Sequence, residues 1–479
     1  MAIVLQFKQG DSGTTLSLNS ASAGFSLAGW SPSVATPVHM GDPAPIGEAI
    51  HLRLKQANQN TLATSMQSLH EMQVYAETYR NDVIFNTPVW LHAKMANETG
   101  ERRALVHSIS AQYKSSWFGP EATSEDIPLV LNVVRSPYWE STTARTFPGF
   151  TSGATISTVY NYTASASADA HDIVGDVGAR IDNFQLNPGS TDSLGMFWMG
   201  IRSRNKWTAD NLANFALVWE CEDGTNNANE SGITDEVDAT ASGGDVVQLV
   251  ETDLNWDAGT FLEVCHITAG NVDATNADDL HGLMLWLLRA KVASGTWEVQ
   301  LRWGYPNMAD ANYIKGSIVE FTSTSWVLKE MGTKPNPLNN IHVIDLSVND
   351  SAEYGIQIWA RRTSGSGNLT LDGLFPVPLD EGFMKLAAPT DFGALQKIQL
   401  GQDPLGQWDA AVKIAAGTGI TQTGIINNIN NFELPPGDGY IVCVFSDYAS
   451  SDITDLIDFA DQADLTSYYE RWLSLRGTE

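Results

Sequence analysis

The sequence predicts a mainly β protein carrying one long helix, and three observations lead there. Short runs of alternating apolar and polar residues recur along the chain, bounded by Gly, Pro, Asn and Asp. A single window, residues 61–79, has apolar residues at helical spacing instead. The hydrophobic fraction is 43% of 479 residues, enough for several packed cores, and this length implies two to four domains. The pattern divides the chain into an α+β domain over 1–140, a Ser/Thr/Ala-rich linker over 141–182, a central β-sandwich of jelly-roll type over 183–384, and a small C-terminal β domain with an acidic segment over 385–479.

In residues 1–55, "IVLQF", "TTLSLNS" and "EAIHLRLKQ" read as strands. Leu62, Met66, Leu69, Met72, Ala76 and Tyr79 then follow at spacings of 4, 3, 3, 4 and 3, one apolar stripe along a helix. Thr61 is placed to cap its start and "RND" at 80–82 to end it. Period two returns in "PVWLHAKM", "RALVHSISAQY" and "IPLVLNVV". That last strand must stop at Pro137, which has no N–H for a ladder, and Ser136 before it is biased to extended or turn geometry. Tyr138 and Trp139 are expected to fold back as a plug at the domain edge.

From 183 to 384 about ten strands are expected, among them "SLGMFWMGI", "GLMLWLLRAKV", "IHVIDLSV" and "NLTLDGLFPVPL". The tail adds "ALQKIQL", "FELPPGDGYIVCVF" and "SYYERWLSL". No fixed-period repeat suggests a solenoid or propeller.

Charge narrows the function. A net charge of −29, from 27 basic and 56 acidic residues, leaves no basic patch for nucleic acid. The charge is uneven: 21 acidic and 5 basic residues over 141–282, 12 and 3 over 401–479, but 12 and 9 over 1–140. The opening domain is therefore expected to meet different surroundings from the rest, since like charges repel and keep exposed surfaces soluble. The start "MAIVLQFKQGDSG" puts apolar residues before Lys8, the reverse of a signal peptide, and "LMLWLL" at 283–288 is too short to span a membrane. Cys221, Cys265 and Cys443 are distant and odd in number, so they read as buried free thiols. The glycosylation triplets at Asn161 and Asn368 carry no weight without an export signal.

The search for catalytic or ligand-binding residues ends in bland readings. "GDSG" at 10–13 copies the string around a serine nucleophile, yet Ser12 sits near the chain start in a Gly-rich turn, and this order of elements does not provide the double barrel that brings His and Asp to such a serine. Asp452, Asp455, Asp458, Asp461 and Asp464 recur every third residue. On a helix this spacing fans them over about 240°, and on a strand it splits them between faces, so their oxygens do not converge on a cation. The loop 221–238, with Glu222, Asp223, Asp235, Glu236 and Asp238, reads as a polar loop, with a structural calcium site as its alternative. His51, His92 and His107 alternate with apolar residues as ordinary sheet surface. "GTGITQTG" at 417–424 has the wrong spacing for a phosphate loop. Trp198, Trp219, Trp303 and Trp359 lie within strands and read as core, with one or two left to line a sugar-binding face. No catalytic, cofactor-binding or metal residue is assigned.

The string "EAIHLRLKQANQNTLATSMQSLHEMQVYAETYRND", followed by "PVWLHAKM" and "IPLVLNVVRSPYWE", gives a strand, a long helix and turn, a strand, and a strand running into a Pro-aromatic step. This order resembles the amino-terminal, tube-like domain of distal tail and related minor tail proteins of long-tailed bacteriophages. "LDGLFPVPLDEGF" at 371–383, "FELPPGDGYIVCVF" at 432–445 and "RWLSLRG" are similar to later strands of such proteins. The resemblance implies a non-enzymatic structural virion protein, made in the host cytoplasm and built into the tail. Its partners would be copies of itself in a ring, sixfold or threefold, together with tail tube and tail tip proteins, with no nucleic acid and no membrane insertion. The competing readings are a receptor-recognition protein whose jelly roll binds host-surface carbohydrate, a β-sandwich hydrolase with paired carboxylates, and a capsid decoration protein.

Overall fold

The computed structural model describes residues 4–20, 24–34, 44–54, 59–81, 87–95, 100–113, 127–148, 157–161, 173–186, 194–203, 218–228, 230–250, 256, 259–268, 284–304, 314–332, 355–379, 382–387, 396–404, 406–409, 412–415, 419–423, 426–430, 432–437, 439–447 and 465–475. Mainly β structure with one helix is found among them. The expected strand 341–348 and the Asp452–Asp464 series lie outside the described residues.

The opening domain contains β1 (Val4–Gln9), β2 (Thr15–Ser17), β3 (Phe25–Gly29), β4 (Ile46–Leu54), α1 (Gln59–Asn81), β5 (Val89–Lys94), β6 (Arg102–Tyr113) and β7 (Ile127–Arg135). Its strands run in the order β2-β1-β5-β6-β7-β4-β3. The 12-residue β6 serves both halves: Arg102–Leu105 pair with β5, and Val106–Tyr113 pair with β7. The alternation in β4 and β7 is read out directly, since Ile50, Leu52, Leu129, Leu131 and Val133 face one core while their neighbours do not. On α1 the stripe places Leu69, Met72 and Ala76 in that same core, and Val74 is on the exposed side. The helix starts at Gln59, so Thr61 lies in its first turn and is not the cap; the stripe fixes the buried face, not the first residue.

The chain continues through β8 (Trp139–Ser141), β9 (Arg145–Pro148), β10 (Ser157–Asn161), β11 (Ala179–Leu186) and β12 (Leu194–Ser203). Next come β13 (Trp219–Glu220), β14 (Thr225–Asn226), β15 (Ile233–Val237), β16 (Asp245–Leu249), β17 (Leu262–Thr268) and β18 (Met284–Val292). β19 (Thr296–Gly304), β20 (Ile314–Phe321), β21 (Val327–Glu330), β22 (Gly355–Ser364) and β23 (Leu369–Pro378) follow. The chain ends with β24 (Phe383–Ala387), β25 (Gln396–Leu400), β26 (Val412–Ala415), β27 (Gly419–Thr423), β28 (Ile426–Asn430), β29 (Gly439–Asp447) and β30 (Leu465–Trp472).

Pairing groups these strands differently from the sequence partition. A companion sandwich sets the sheet β10-β29-β12-β24-β28 against β30-β11-β25-β26-β27, with β9 on β30, around Ile181, Phe184, Phe197, Met199, Ile441 and Cys443. A second sandwich sets β15-β16-β23-β18-β21, with β13 on β23, against β14-β17-β22-β19-β20. It is nested between β12 and β24, which are antiparallel neighbours through Gly200–Phe383. Residues 183–384, expected as one sandwich, thus contribute β12 and β24 to the companion and β13–β23 to the nested unit. The expected linker 141–182 contains β9 and β10 and the start of β11. Residues 385–479 supply the remainder of the companion, not a separate domain. Local patterning shows that a segment is a strand but not which distant strand it joins, and the partition differs for that reason.

Double burial explains the strand "SLGMFWMGI". Phe197, Met199 and Ile201 face the companion core, while Trp198 turns outward into the nested core and donates Nε1–H to Glu330 at 2.7 Å. A Cβ on Gly200 would lie 2.1 Å from the Pro378 carbonyl oxygen, so glycine is required for this close approach.

β30 joins the two larger units. It pairs with β8 through Trp472–Trp139, with β9, and with β11, so one sheet runs from the opening domain into the companion. Trp472 and Leu475 pack in the opening core. Beside this seam lies Glu140, the residue directly after the Tyr138–Trp139 plug. Its Oε1 accepts from Arg180 Nε at 2.9 Å and Arg471 Nε at 3.1 Å, its Oε2 accepts from Arg180 Nη2 at 3.2 Å, and Arg103 Nε stands 4.0 Å away. Arg103 lies over the rings of Trp90 and Tyr469 and pairs with Asp11, and Arg180 donates to the Gln402 carbonyl at 2.6 Å. A second buried pair closes the preceding strand: Arg135 bonds Glu48 at 2.5 Å and lies over Trp139, which meets Trp30 edge to face. Trp139 is fully buried, in keeping with its expected place as a plug.

Burial alone would push the Glu140 carboxyl up, but Arg180 and Arg471 reverse this and bring it down to about 2. A depressed carboxylate pKa gives stability that is complete above the unfolded value and is lost as pH falls through the folded one. The seam is therefore expected to weaken between about pH 4.5 and 2, which thermal unfolding against pH will show. Glu140→Gln keeps the shape but removes the buried charge shared by Arg180 and Arg471, leaving them only the more exposed Asp182 and Glu433, at a cost of about 3 kcal/mol in denaturant titration at pH 7.

Candidate functional site

The residues singled out from sequence disperse. Ser12 lies in the exposed turn between β1 and β2, where Gly10 adopts φ 57°. His51 is exposed, but His92 is buried and bonds Glu101 at 2.7 Å, a correction to its reading as sheet surface. Both faces of β5 are covered, and burial lowers the His92 pKa against the pull of Glu101. "GTGITQTG" contains β27. Cys221, Cys265 and Cys443 are buried and free, with Cys221 and Cys265 in one nested core; burial, then a hydrogen bond with Cys265, raises the Cys221 thiol.

The acidic segment 221–238 is partly strand, since β14 and the exposed edge strand β15 fall within it. Asp235 accepts from Asn226 Nδ2 at 2.8 Å, and Asp238 pairs with Lys291 at 2.5 Å. Glu222 belongs instead to a knot on the outer side of β13 and β23. There Asp372 bonds Arg289 at 2.5 Å and accepts from the Ser242 backbone N–H at 2.8 Å, while the Ser242 hydroxyl lies 2.8 Å from Asp372 and 2.6 Å from Glu220 and shares its one proton between them. Trp326 covers Arg289 and Lys291 and donates to Thr240 at 2.8 Å. Among the described residues no group of three or more His, Cys, Asp or Glu side chains is placed to hold a metal ion. Alongside the knot, a cleft of about 280 Å³ is lined by residues including Glu236, Gln248, Lys291, Asn368 and Thr370.

Chemistry of a different kind lies on the opposite sheet of the nested sandwich. Along β17, β22, β19 and β20, Cys265, Ile267, Ile356, Ile358, Val299, Leu301 and Phe321 face the core. The alternate positions face outward, and the registers align them in rows. One row is His266–Gln357–Arg302–Lys315 and the next is Glu263–Trp359–Gln300–Ile318. His266, Gln357, Arg302 and Gln300 are 6%, 1%, 6% and 8% exposed, although they lie on the outer side of their sheet. Trp359 is half-buried; Arg302 lies over its ring at 3.7 Å, and its Nε1–H is donated to Gln357 at 2.9 Å. Arg302 Nε in turn donates to Gln300 at 3.1 Å. Ile318 remains 50% exposed beside them. Burial raises the Glu263 carboxyl against Arg302, and burial lowers His266, whose Nε2 has no partner. Of the four tryptophans considered from sequence, Trp198, Trp219 and Trp303 are core, and Trp359 stands on this face.

No family model matches the chain, and no curated protein matches it. Some solved structures are weak neighbours. The family 30 carbohydrate-binding module of a cellulosomal cellulase from Clostridium thermocellum is similar over 34% of this chain and 93% of its own, at 12% identity and a TM-score of 0.20. The Dit protein of phage SPP1, described as a paradigm of the hub adsorption apparatus in phages infecting Gram-positive hosts, is similar over 78% of this chain and 100% of its own, at 7% identity and a TM-score of 0.18. A chain of the phage P2 baseplate in its activated conformation with calcium matches over 78% and 98%, at 8% identity and 0.18. Scores this low neither equate the folds nor carry a function across.

The knot has a pH dependence opposite to that of the seam. Burial, then the neighbouring acids, raises Glu220 to about 7 and Glu222 to about 8, with the Ser242 hydrogen bond opposing at Glu220. A raised carboxylate pKa gives stability that is present below the unfolded value and lost as pH climbs through the folded one. The nested sandwich is expected to loosen between about pH 4.5 and 8, and Glu222→Gln, which has no charge to acquire, to reduce that loss. Melting curves of both proteins at pH 5 and pH 8.5 test this through the difference in slope.

Proposed function

We propose that the chain is a non-enzymatic structural protein of a phage tail. Copies of it would associate into a ring, sixfold or threefold, at or near the tail tip, in contact with tail tube and tail tip proteins. The observation that carries this reading is the pair of strand margins on the opening domain. Among the described residues β2 pairs only with β1, and β3 only with β4 apart from the local bridge Ser20–Phe25. An open margin is a template for a strand from another copy, and a ring satisfies every margin at once. The near-balanced charge of residues 1–140 permits such contact, and the seam at Glu140 supplies a stiff body to bear it. The order of strand, helix and strand in 1–140 agrees with the resemblance drawn from sequence.

A second reading, recognition of carbohydrate by the nested sandwich, is favoured by the buried polar rows around Trp359. It is compatible with the first, because the nested unit enters and leaves the companion at one strand pair. Among the described residues no helix is long and apolar enough to cross a membrane.

Native mass spectrometry of the full chain at micromolar concentration is expected to give a closed oligomer of six or three copies, seen as a ring in electron micrographs. A stable monomer would end the ring reading.

A further inference from the structure

We propose that the outer face of the sheet β14-β17-β22-β19-β20 is a binding face for an uncharged saccharide, with Trp359 as its stacking platform and Ile318 as its second apolar contact. This rests on the carbohydrate reading of the nested sandwich and adds the site and the charge class of the ligand.

The argument starts from the cost of what is there. A sheet face that merely meets water carries exposed charges, which cost nothing to hydrate. Here His266, Gln357, Arg302 and Gln300 are more than nine-tenths buried. Burying such groups is unfavourable unless a hydrogen-bonded network holds them. That network exists: Gln300 Nε2 donates to the Gly316 carbonyl at 2.9 Å and its Oε1 receives Arg302, whose guanidinium carbon stands 3.7 Å from the Trp359 ring centre. Its effect is to fix one indole ring. With Arg302 on one face of that ring, a ligand can stack only on the other.

Sugar rings suit such a place. Their C–H faces stack on an aromatic ring. Gln357 and Gln300 flank Trp359 on neighbouring positions and, buried together with His266, hold the ring in place without reaching solvent themselves. Along the second row Trp359 and Ile318 are two strands apart, roughly 10 Å, so the row can hold more than one sugar ring. Charge selects the class. The outward positions carry Arg302, Lys315 and Arg361 against Glu263, Glu298 and Glu320, with Arg361 and Glu298 already paired at 2.6 Å. The sum is zero, so the face offers no net positive charge to draw an anionic polymer.

The test is native affinity electrophoresis of the full chain in gels containing soluble β-glucan, galactan, xylan or glucomannan, with polygalacturonate as the anionic probe. At least one neutral polymer is expected to retard the chain. Trp359→Ala and Ile318→Asp are each expected to weaken that retardation at least about tenfold, the equivalent of 1.4 kcal/mol. Trp359→Phe should retain most of it, and Val237→Asp on the other sheet all of it. Ile318 is exposed, so its variant folds even where Trp359→Ala does not, and thermal unfolding identifies any variant that fails. Retardation untouched by Trp359→Ala and Ile318→Asp would overturn the site and leave the carbohydrate reading standing. Retardation by polygalacturonate alone would overturn the uncharged class. No retardation by any polymer would remove both the face and the carbohydrate reading, while the ring is decided separately by its mass.

Discussion

The joint between the opening domain and the companion sandwich depends on one carboxylate held out of water. Glu140 sits at the crossing of β6, β8, β11 and β30, and arginines from three of those strands converge on it. None of the four charges is tolerable alone in that interior. Together they bind the opening domain, the first strand of the companion sheet and the final strand of the chain. Pairs of this kind add little net stability compared with apolar residues, but the loss of one member leaves the others uncompensated in the interior. The aromatic shell of Trp90, Tyr138 and Tyr469 reinforces this, because each ring accepts an arginine on its face.

The abrupt end of β7 follows from the same constraint. "RSPYWE" places Arg135 under Glu48, ends the ladder at Pro137, buries Trp139 and delivers Glu140 to its arginines within six residues. A longer strand would carry Glu140 past the seam. The nested sandwich repeats the device with Arg289 and Asp372, but its carboxylates outnumber its cation, so the knot holds acids that resist ionisation. Two regions of one chain therefore meet acid and base with opposite responses.

Much of the fold is legible in the sequence, and the rest is hidden for a definite reason. Alternation in β4 and β7 and the stripe on α1 are local, so they can be read residue by residue. Glu140 lies 40 residues from Arg180 and 331 from Arg471, and nothing local joins them. The companion sandwich is split in the same way, because β12 pairs with β24 and β29 across the whole nested unit. Trp359 is one of several strand tryptophans; only register, which sets Gln300 beside it and Arg302 beside Gln357, separates it from the core-facing Trp303. His92 departs from its expected exposure because both sides of β5 are covered, which alternation cannot reveal.

The junction at Gly200 and Phe383 has a consequence for the history of such chains. Departure and return lie side by side on adjoining strands, so the intervening segment behaves like a cassette in a socket. A lineage could exchange it for another module, or lose it and close the gap with a tight turn, while β12 and β24 kept their register. Such an exchange would leave the strand pairing of the companion sandwich undisturbed.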